Sequence, residues 1–305
     1  MNIIFFGSGQ FALPIIKKIH EEYTLLGVVI TKPKRSGRRL KLILPEVAIW
    51  AESRGIKVFT PENPNSDYFI QEISKLKPDL FVLSSYGYIL GTQLLEVPKL
   101  GGINIHPSLL PKYRGAAPIQ RAIMAGEKNT GITIIMMDEK IDHGDIIFEK
   151  EITIDPDDNY VSLQSRLSTL GVEIITQVLR SVESGNYKRS KQDEGSKSYA
   201  KKISKEETII DWQQSAAMIS NLIRALSPKP GARTKFRGKE LQIIKAKPCG
   251  KKIEPGKINI DKRQVYIGTG NGSIMLEQVK PENRAPISGY DFINGFHVKE
   301  GEVVG

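Results

Sequence analysis

An apolar run meets a glycine-rich turn at Ile3-Ile4-Phe5-Phe6-Gly7-Ser8-Gly9-Gln10-Phe11-Ala12. Four consecutive apolar residues that end at a glycine are typical of a short strand buried on both faces of a sheet. Apolar side chains recur at helical spacing over Leu13–Glu22, so the sequence predicts a helix directly after the turn. A buried strand that passes through a tight turn into a helix indicates an α/β fold with a mainly parallel sheet.

The alternation of short apolar runs with helical stretches continues through the first 187 residues. Strands rich in Val and Ile that are separated by helices predict a Rossmann-like, mainly parallel sheet covered on both faces. We therefore predict a first, catalytic domain over residues 1–187. Its further strands are predicted at Leu25–Ile30, Leu80–Leu83, Gly102–Ile105 and Thr133–Met136, and its further helices at Asp67–Leu76 and Val161–Ser184.

The pattern changes from about Lys188, where the chain becomes polar. We interpret residues 188–207 as a basic linker and residues 208–305 as a second domain. One helix is predicted in that domain, at Ser215–Leu226. Five short strands at regular spacing predict a small β-barrel, and we expect one of the oligonucleotide-binding type. These strands are Ala232–Phe236, Leu241–Lys245, Gly256–Ile260, Gln264–Gly268 and Ser273–Val279.

Positive charge is concentrated in three parts of the sequence. The chain has 44 Lys and Arg residues against 34 Asp and Glu residues, a net charge of +10. Thr31–Lys41 holds six basic residues and no acidic one, Lys188–Ser204 holds six against two, and residues 205–305 hold 17 against 11. Each segment alone is typical of a solvated face, but the three together indicate a polyanionic partner that crosses a particular surface.

Composition also limits the location of the protein. No run of about 18 apolar residues is present, so we expect no membrane-spanning helix. Residues 1–6 lack the basic region and the cleavage site of a signal peptide. The single cysteine, Cys249, has no partner for a disulfide within the chain, which fits a reducing compartment. We therefore expect a cytoplasmic protein without membrane association, and no obligatory protein partner is evident.

The turn Gly7–Ala12 fits the G-x-G-x-x-A pattern of dinucleotide-binding proteins, which makes an NAD(P)-dependent oxidoreductase one alternative. Such enzymes hold the ribose hydroxyls with an acidic residue at the end of the second strand, where this chain has Ile30-Thr31-Lys32. A phosphorylated cofactor could use Lys32 instead. The other interpretation is a tight turn that packs the helix on the sheet, and the position of the remaining polar groups favours it.

Asn104 and His106 lie two residues apart at the end of a predicted strand, so their side chains share a face. At the carboxyl end of a parallel strand, that face lines the crevice in which open α/β sheets bind ligands. An amide in this position can donate to a developing oxyanion. A neutral histidine can transfer protons there if a partner sets its tautomer and charge.

An acidic loop, Asp138-Glu139-Lys140-Ile141-Asp142-His143-Gly144-Asp145, follows the strand that ends at Met136. No set of His and Cys residues completes a zinc site and no twelve-residue calcium loop is present, so we expect no metal. One carboxylate that pairs with a histidine is the better interpretation. Because no Ser or Cys nucleophile belongs to this pattern, the substrate has to bring its own nucleophile, for example an amine.

The chain resembles the folate-dependent formyltransferases. The motifs that carry the resemblance are Asn104-Ile105-His106-Pro107-Ser108-Leu109-Leu110-Pro111, Tyr113–Ile119 and Ile141-Asp142-His143-Gly144-Asp145. Further stretches resemble the members of this family that act on methionyl-tRNA: Phe6–Ala12, the basic loop around Gly37-Arg38, Lys202–Trp212, Arg224–Ala232 and Ser288–Phe292. The resemblance covers nearly the whole chain.

The resemblance implies a role for each matching residue. Asn104 and His106 would hold and polarise the formyl oxygen of 10-formyltetrahydrofolate. Asp142 would pair with His106 and help to pass the proton of the attacking amine to the departing folate nitrogen. The folate would be contacted by Ser108, Leu109, Leu110 and Pro111, and the backbone near Ile89 and Leu90 together with Asp138–Asp142 would form the pocket of its pterin ring.

The acceptor is inferred from the basic segments. The acceptor stem of an initiator methionyl-tRNA presents phosphates to a basic loop, linker and barrel, whereas a small amine needs none of them. An amino-sugar nucleotide or another small amine is the alternative acceptor, since relatives of that kind have a comparable C-terminal part. The expected tRNA contacts are Lys34, Arg35, Arg38, Arg39 and Lys41 in the loop, and Lys201, Lys202 and Lys205 in the linker.

Overall fold

The computed structural model describes residues 1–33, 35–36, 41–42 and 44–305, with the backbone alone at 35–36 and 41–42. Its helices are α1 (Ala12–Glu22), α2 (Glu46–Ser53), α3 (Asp67–Ser74), α4 (Thr92–Leu95), α5 (Pro118–Ala125), α6 (Tyr160–Ser184), α7 (Ala216–Leu226) and α8 (Gly289–Phe296). Within the described residues, no helix combines the length and the apolar character that a membrane crossing requires. The strands are β1 (Asn2–Phe6), β2 (Thr24–Val29), β3 (Arg35–Ser36), β4 (Lys41–Leu42), β5 (Val58–Phe59), β6 (Leu80–Leu83), β7 (Gly102–His106), β8 (Asn129–Met136), β9 (Ile146–Thr153), β10 (Ala232–Phe236), β11 (Lys239–Cys249), β12 (Ile258–Asp261), β13 (Gln264–Gly268), β14 (Ser273–Pro281) and β15 (Ile287–Ser288).

Seven strands form one mixed sheet in the order β5-β2-β1-β6-β7-β8-β9. The first five strands in this order are parallel, and β8 and β9 run antiparallel to their neighbours. This sheet confirms the predicted Rossmann-like class. Two strands of this sheet, β5 and β9, were not predicted from the sequence. Strand β5 has only two residues, and β9 is an edge strand with exposed charged residues, Glu149-Lys150-Glu151.

The sheet is buried because helices pack on its apolar strands. Ile4 and Phe6 of β1 lie in a cluster with residues of α3 and α4, among them Phe69. Helices α1 and α6 pack so closely that a Cβ at Gly171 would lie 2.7 Å from Ile15. The predicted helix Val161–Ser184 is confirmed as α6, and it ends before Gly185, whose φ is +69°.

The second sheet is antiparallel in the order β10-β11-β14-β13-β12, and β15 pairs with β14. The last residues of the chain join its two edges. Val304 pairs with Phe236 of β10, and Val303 pairs with Lys257 next to β12. This closure gives the predicted barrel, and apolar side chains from the strands, α7 and α8 fill its interior. The five predicted strands are confirmed, although β11 extends well beyond Leu241–Lys245.

Two compact units divide the chain, and neither is continuous in sequence. The predicted linker, residues 188–207, is shared between them, since the first unit extends to Ala200. Short segments before and after β8 and β9 belong to the second unit because they pack there, as Met124 does against the second core. The first unit is Met1–Pro118, Asn129–Thr153 and Gln164–Ala200, and the second is Ile119–Lys128, Ile154–Leu163 and Lys201–Gly305.

Candidate active site

Strand β7 carries two predicted site residues, Asn104 and His106, at the carboxyl end of the parallel part of the sheet. It pairs in parallel with β6 and antiparallel with β8, where His106 lies opposite Thr133. Both side chains are buried, with exposed fractions of 7% and 4%. Since the two residues are i and i+2 along a strand, with only Ile105 between them, the amide and the imidazole lie on the same face.

Asp142 lies in the loop between β8 and β9, and its carboxylate brings the three predicted catalytic residues together. Oδ1 accepts a hydrogen bond from Asn104 Nδ2 at 2.8 Å, and Oδ2 accepts one from the backbone N–H of Gly115 at 2.7 Å. Asp142 Oδ2 also lies 3.4 Å from His106 Nδ1. The φ of Asp142 is +48°, a left-handed conformation that costs a residue with a Cβ roughly 1–2 kcal/mol. Neighbouring contacts therefore have to hold this loop.

The tautomer of His106 follows from its neighbours. Nε2 lies 3.0 Å from the carbonyl oxygen of Tyr113, which can only accept, so Nε2 carries a proton and donates it. In the neutral ring Nδ1 is then unprotonated, and it faces the Asp142 carboxylate. Two groups with lone pairs repel each other unless a proton lies between them. The space between Nδ1 and Oδ2 is therefore the position at which a proton in transit would join the two groups.

Two other side chains, Arg114 and Gln192, join the loops of the site, and neither is a predicted site residue. Arg114 is 2% exposed, and its Nε and Nη2 donate to Gln192 Oε1 at 3.0 and 2.8 Å. Gln192 Nε2 donates to the carbonyl oxygens of Asp142 and Gly144, both at 2.9 Å. The sequence did offer a signal for Arg114, because this residue lies inside the motif Tyr113–Ile119. No signal in the sequence marks Gln192, because it lies in the polar stretch interpreted as a linker.

A pocket of about 440 Å³ is lined by the loop that carries Asp142. Ile89, Ile141 and Tyr199 line it with large side chains that are 52%, 51% and 60% exposed. The same lining carries both signs of charge, with Lys140 and Lys197 on one side of the balance and Glu139 and Glu194 on the other. Apolar and aromatic faces suit a flat ring, cationic groups suit carboxylates, and the volume is within the range of small-molecule sites. The residues present therefore fit the folate that the resemblance implies.

The residues predicted to surround the pterin ring occupy different environments. Ile89 lines the pocket, whereas the side chain of Leu90 is buried in the core at 1% exposure. Asp138 Oδ2 lies 2.5 Å from His143 Nδ1. Within the part of the chain that the structure describes, no group of three or more His, Cys, Asp or Glu side chains could hold a metal ion.

The other predicted folate contacts follow β7 directly. The side chain of Ser108 is fully buried, and that of Leu110 is 4% exposed. Thr133 of β8 fixes this backbone, because its hydroxyl donates to the carbonyl of Ser108 at 2.8 Å and accepts from the N–H of Leu110 at 3.0 Å. Leu109 and Pro111 are half-buried. Folate contacts from these four residues stay predictions, and the structure gives Ser108 and Leu110 a packing role.

The glycine turn after β1 is explained by close packing against the end of β6. A Cβ at Gly7 would lie 2.2 Å from the carbonyl oxygen of Ser84, and a Cβ at Gly9 would lie 2.9 Å from Ser85. The backbone N–H of Ser8 donates to the Ser85 carbonyl at 3.3 Å. Only glycine fits where another backbone approaches so closely. The turn thus has a packing reason for its glycines that does not involve a dinucleotide.

The predicted tRNA contacts lie in two places. Lys34, Arg38 and Arg39 lie outside the described residues. Arg35 and Lys41 belong to β3 and β4, which pair with each other, and only their backbone is described. In the second unit, Lys201, Lys202 and Lys205 are exposed.

Family models match most of the chain: that of the formyl transferases matches residues 1–179, and that of the formyl transferase C-terminal domain matches residues 202–297. The methionyl-tRNA formyltransferase of Geobacter metallireducens is 40% identical over 99% of this chain and 97% of its own length. That of Syntrophus aciditrophicus is 38% identical over 100% of this chain and 99% of its own.

Solved structures share the fold at lower identity. HypX from Aquifex aeolicus in complex with tetrahydrofolic acid superposes with a TM-score of 0.68 and 20% identity, over 99% of this chain and 48% of that one. WlaRD, a sugar 3N-formyl transferase, superposes with a TM-score of 0.68 and 20% identity, over 93% of this chain and 99% of that one. Full-length relatives, both family models and the motifs of the site agree. The chain therefore belongs to the formyl transferase family, in the group of the methionyl-tRNA formyltransferases.

Proposed function

We propose that the protein transfers the formyl group of 10-formyltetrahydrofolate to the amino group of initiator methionyl-tRNA, giving N-formylmethionyl-tRNA for translation initiation. The observation that carries the proposal is the arrangement of Asn104, His106 and Asp142. His106 contacts a carbonyl oxygen and a carboxylate, so the site offers proton transfer while the acceptor amine is the nucleophile. The full-length relatives, which are named methionyl-tRNA formyltransferases, support the choice of acceptor.

Each of the three side chains has a distinct task. 10-Formyltetrahydrofolate supplies the formyl group. Asn104 uses one N–H of its amide for Asp142, which leaves its second N–H for the formyl oxygen as negative charge develops there. His106 and Asp142 hold the proton that the amine loses, at the position between Nδ1 and Oδ2. They pass it to the folate nitrogen, which leaves as its bond to the formyl carbon breaks and the new bond to the amine forms. Ile89, Ile141 and Tyr199 provide the apolar lining against which the folate ring packs.

We favour tRNA as the acceptor because of the positively charged segments of the chain. The basic residues of Thr31–Lys41, the exposed lysines Lys201, Lys202 and Lys205, and the basic 205–305 region offer phosphate contacts that an amino-sugar nucleotide does not need. Because the ribosome uses aminoacylated initiator tRNA, we expect the enzyme to act in the cytoplasm.

The test is formyl transfer by the purified protein with 10-formyltetrahydrofolate and three acceptors. These are methionylated initiator tRNA, methionylated elongator tRNA and an amino-sugar nucleotide. We expect the largest kcat/KM for the initiator tRNA. Preference for the amino-sugar nucleotide would replace the proposed acceptor. In parallel, a folate should raise the melting temperature because it binds the folded state, whereas a rise with NADP alone would support the oxidoreductase.

A further inference from the structure

Gln192 uses its whole side-chain amide to join two loops of the site. Its Nε2 donates to the carbonyl oxygens of Asp142 and Gly144, both at 2.9 Å, and its Oε1 accepts from Arg114 Nε and Nη2 at 3.0 and 2.8 Å. A primary amide has two N–H groups and two acceptor lone pairs, so all four are in use. The amide has one possible orientation, because a guanidinium can only donate and a backbone carbonyl can only accept.

The loop that Gln192 holds, residues 138–145, is conformationally restricted at Asp142 and at Gly144. Asp142 has a φ of +48°, which a residue with a Cβ adopts only when its surroundings enforce it. At Gly144 a Cβ would lie 1.7 Å from the carbonyl oxygen of Met136, so this part of the loop lies against the end of β8. The carbonyls that Gln192 binds belong to these same two residues.

Arg114 anchors the other side of the bridge. Its side chain is 2% exposed, and its Nη2 also pairs with Glu194 Oε1 at 2.7 Å. Hydrogen bonds from Arg114 and then from a lysine lower the pKa of Glu194 to about 2, so this carboxylate stays charged at neutral pH. The next residue, Gly115, donates its N–H to Asp142 Oδ2. The two loops thus meet at the Asp142 carboxylate and again through Gln192.

We propose that Gln192 is a positioning residue for formyl transfer, which holds the backbone of Asp142 so that its carboxylate meets His106 and Asn104. The inference rests on the proposed function. A carboxylate displaced by about 1 Å loses its alignment with the group that it serves, and such displacement costs up to roughly 100-fold in rate. The amide itself contacts only Arg114 and the two carbonyls. Because Arg114 and Ile141 also line the pocket proposed for the folate, a modest weakening of folate binding accompanies its loss, whereas tRNA binding is not affected.

Gln192→Glu is the most selective variant because it keeps the shape and the acceptor for Arg114. It cannot donate, so a carboxylate oxygen would face the two carbonyl oxygens in place of the amide N–H groups. Gln192→Ala removes the bridge altogether. Gln177→Glu is the matched control, since it makes the same chemical change at an exposed position of α6 in the same unit.

We expect both Gln192 variants to lower kcat by roughly 10- to 100-fold with KM for tRNA nearly unchanged, KM for folate to rise less than kcat falls, and the control to match the wild type. In an Asp142→Ala background, Gln192→Glu should have almost no further effect on kcat, because the group that it positions is gone. Amide hydrogen exchange of residues 138–146 should be faster in both variants and unchanged in the control.

The outcomes separate the two proposals. Unchanged exchange in this loop, or a loss of kcat that multiplies with that of Asp142→Ala, would overturn the positioning role. A wild-type protein that does not formylate methionyl-tRNA would overturn the proposed function, while the exchange measurement would still decide whether Gln192 orders the loop. Thermal unfolding of every variant shows whether a loss of kcat reflects a loss of fold, and the isosteric Glu variant remains informative if the Ala variant unfolds.

Discussion

Asp142→Asn tests the centre of the site with the smallest change of shape. The carboxylate accepts from Asn104 Nδ2 at 2.8 Å and from the Gly115 N–H at 2.7 Å, and it lies 3.4 Å from His106 Nδ1. An Asn side chain has one oxygen, so its NH₂ group must face either Asn104 or Gly115, and both present an N–H. One hydrogen bond to a charged acceptor is therefore lost, which is worth about 1.5–3 kcal/mol.

This hydrogen bond exists before the reaction begins, so its loss of about 1.5–3 kcal/mol lowers the free energy of unfolding and misaligns the site, and it is not itself a rate term. The variant also lacks the negative charge that stabilises a proton on His106, so we expect kcat to fall by at least about 100-fold. Single-turnover formylation of methionyl-tRNA measures this step, and Asp67→Asn on the exposed surface of α3 is the control for loss of one charge. The double variant with His106→Ala should be little slower than either single variant, because the two act as a unit. Losses that multiply, or a kcat within tenfold of the wild type in a folded protein, would refute the pairing.

Three further outcomes follow from other parts of the molecule. Gly7→Ala should lower the free energy of unfolding by about 1–3 kcal/mol, because its Cβ would lie 2.2 Å from the Ser84 carbonyl, whereas Gly250→Ala, with nothing within 4 Å, should change it little in chemical denaturation. The Arg121 guanidinium and the Ser204 N–H lower the pKa of Glu207 to about 2. Because the pKa is lower in the folded state, the stability advantage of the wild type over Glu207→Gln should be full above pH about 4.5 and vanish towards pH 2 in pH-dependent unfolding. Arg38→Ala should flatten the slope of log Kd for tRNA against log salt by roughly one unit for each phosphate that the arginine neutralises, whereas Arg54→Ala, an arginine outside the basic segments, should leave it unchanged.

The parts of the fold that the sequence predicted are those encoded by local burial. Runs such as Ile3–Phe6 and Leu80–Leu83 are buried on both faces, so their side chains must all be apolar, and they are read directly as strands. Strand β9 has the pattern of an edge strand instead, with exposed charges that a loop would also show. The closure of the barrel by Val303 and Val304 joins residues far apart in sequence, and no local pattern predicts such pairing.

The candidate site shows the same division. The shared face of Asn104 and His106 was predictable because they lie two residues apart at the end of a strand, whereas only the resemblance singled out Asp142 among the acids of its loop. Gln192 was not predictable, since a glutamine in a polar stretch is as typical of solvent as of a buried bridge, and only the distances to its four partners distinguish the two. The pterin contact predicted for the backbone near Leu90 stays a prediction, because the burial of its side chain in the core does not test it.

Selection of the acceptor has to come from outside the three side chains that we propose to be catalytic. Asn104, His106 and Asp142 are proposed to contact only the formyl oxygen and the transferred proton, and these are the same for every primary amine. Binding energy from remote parts of the acceptor must therefore be used to favour one amine over another in the transition state. For a tRNA the remote part is its phosphate backbone, whose attraction to Lys and Arg side chains weakens steeply as salt rises. An amino-sugar nucleotide carries only its diphosphate, so the rate with this acceptor should depend much less steeply on salt. The ratio of the two rates across a salt series thus measures how much of the specificity the basic segments supply, independently of the chemistry at the catalytic residues.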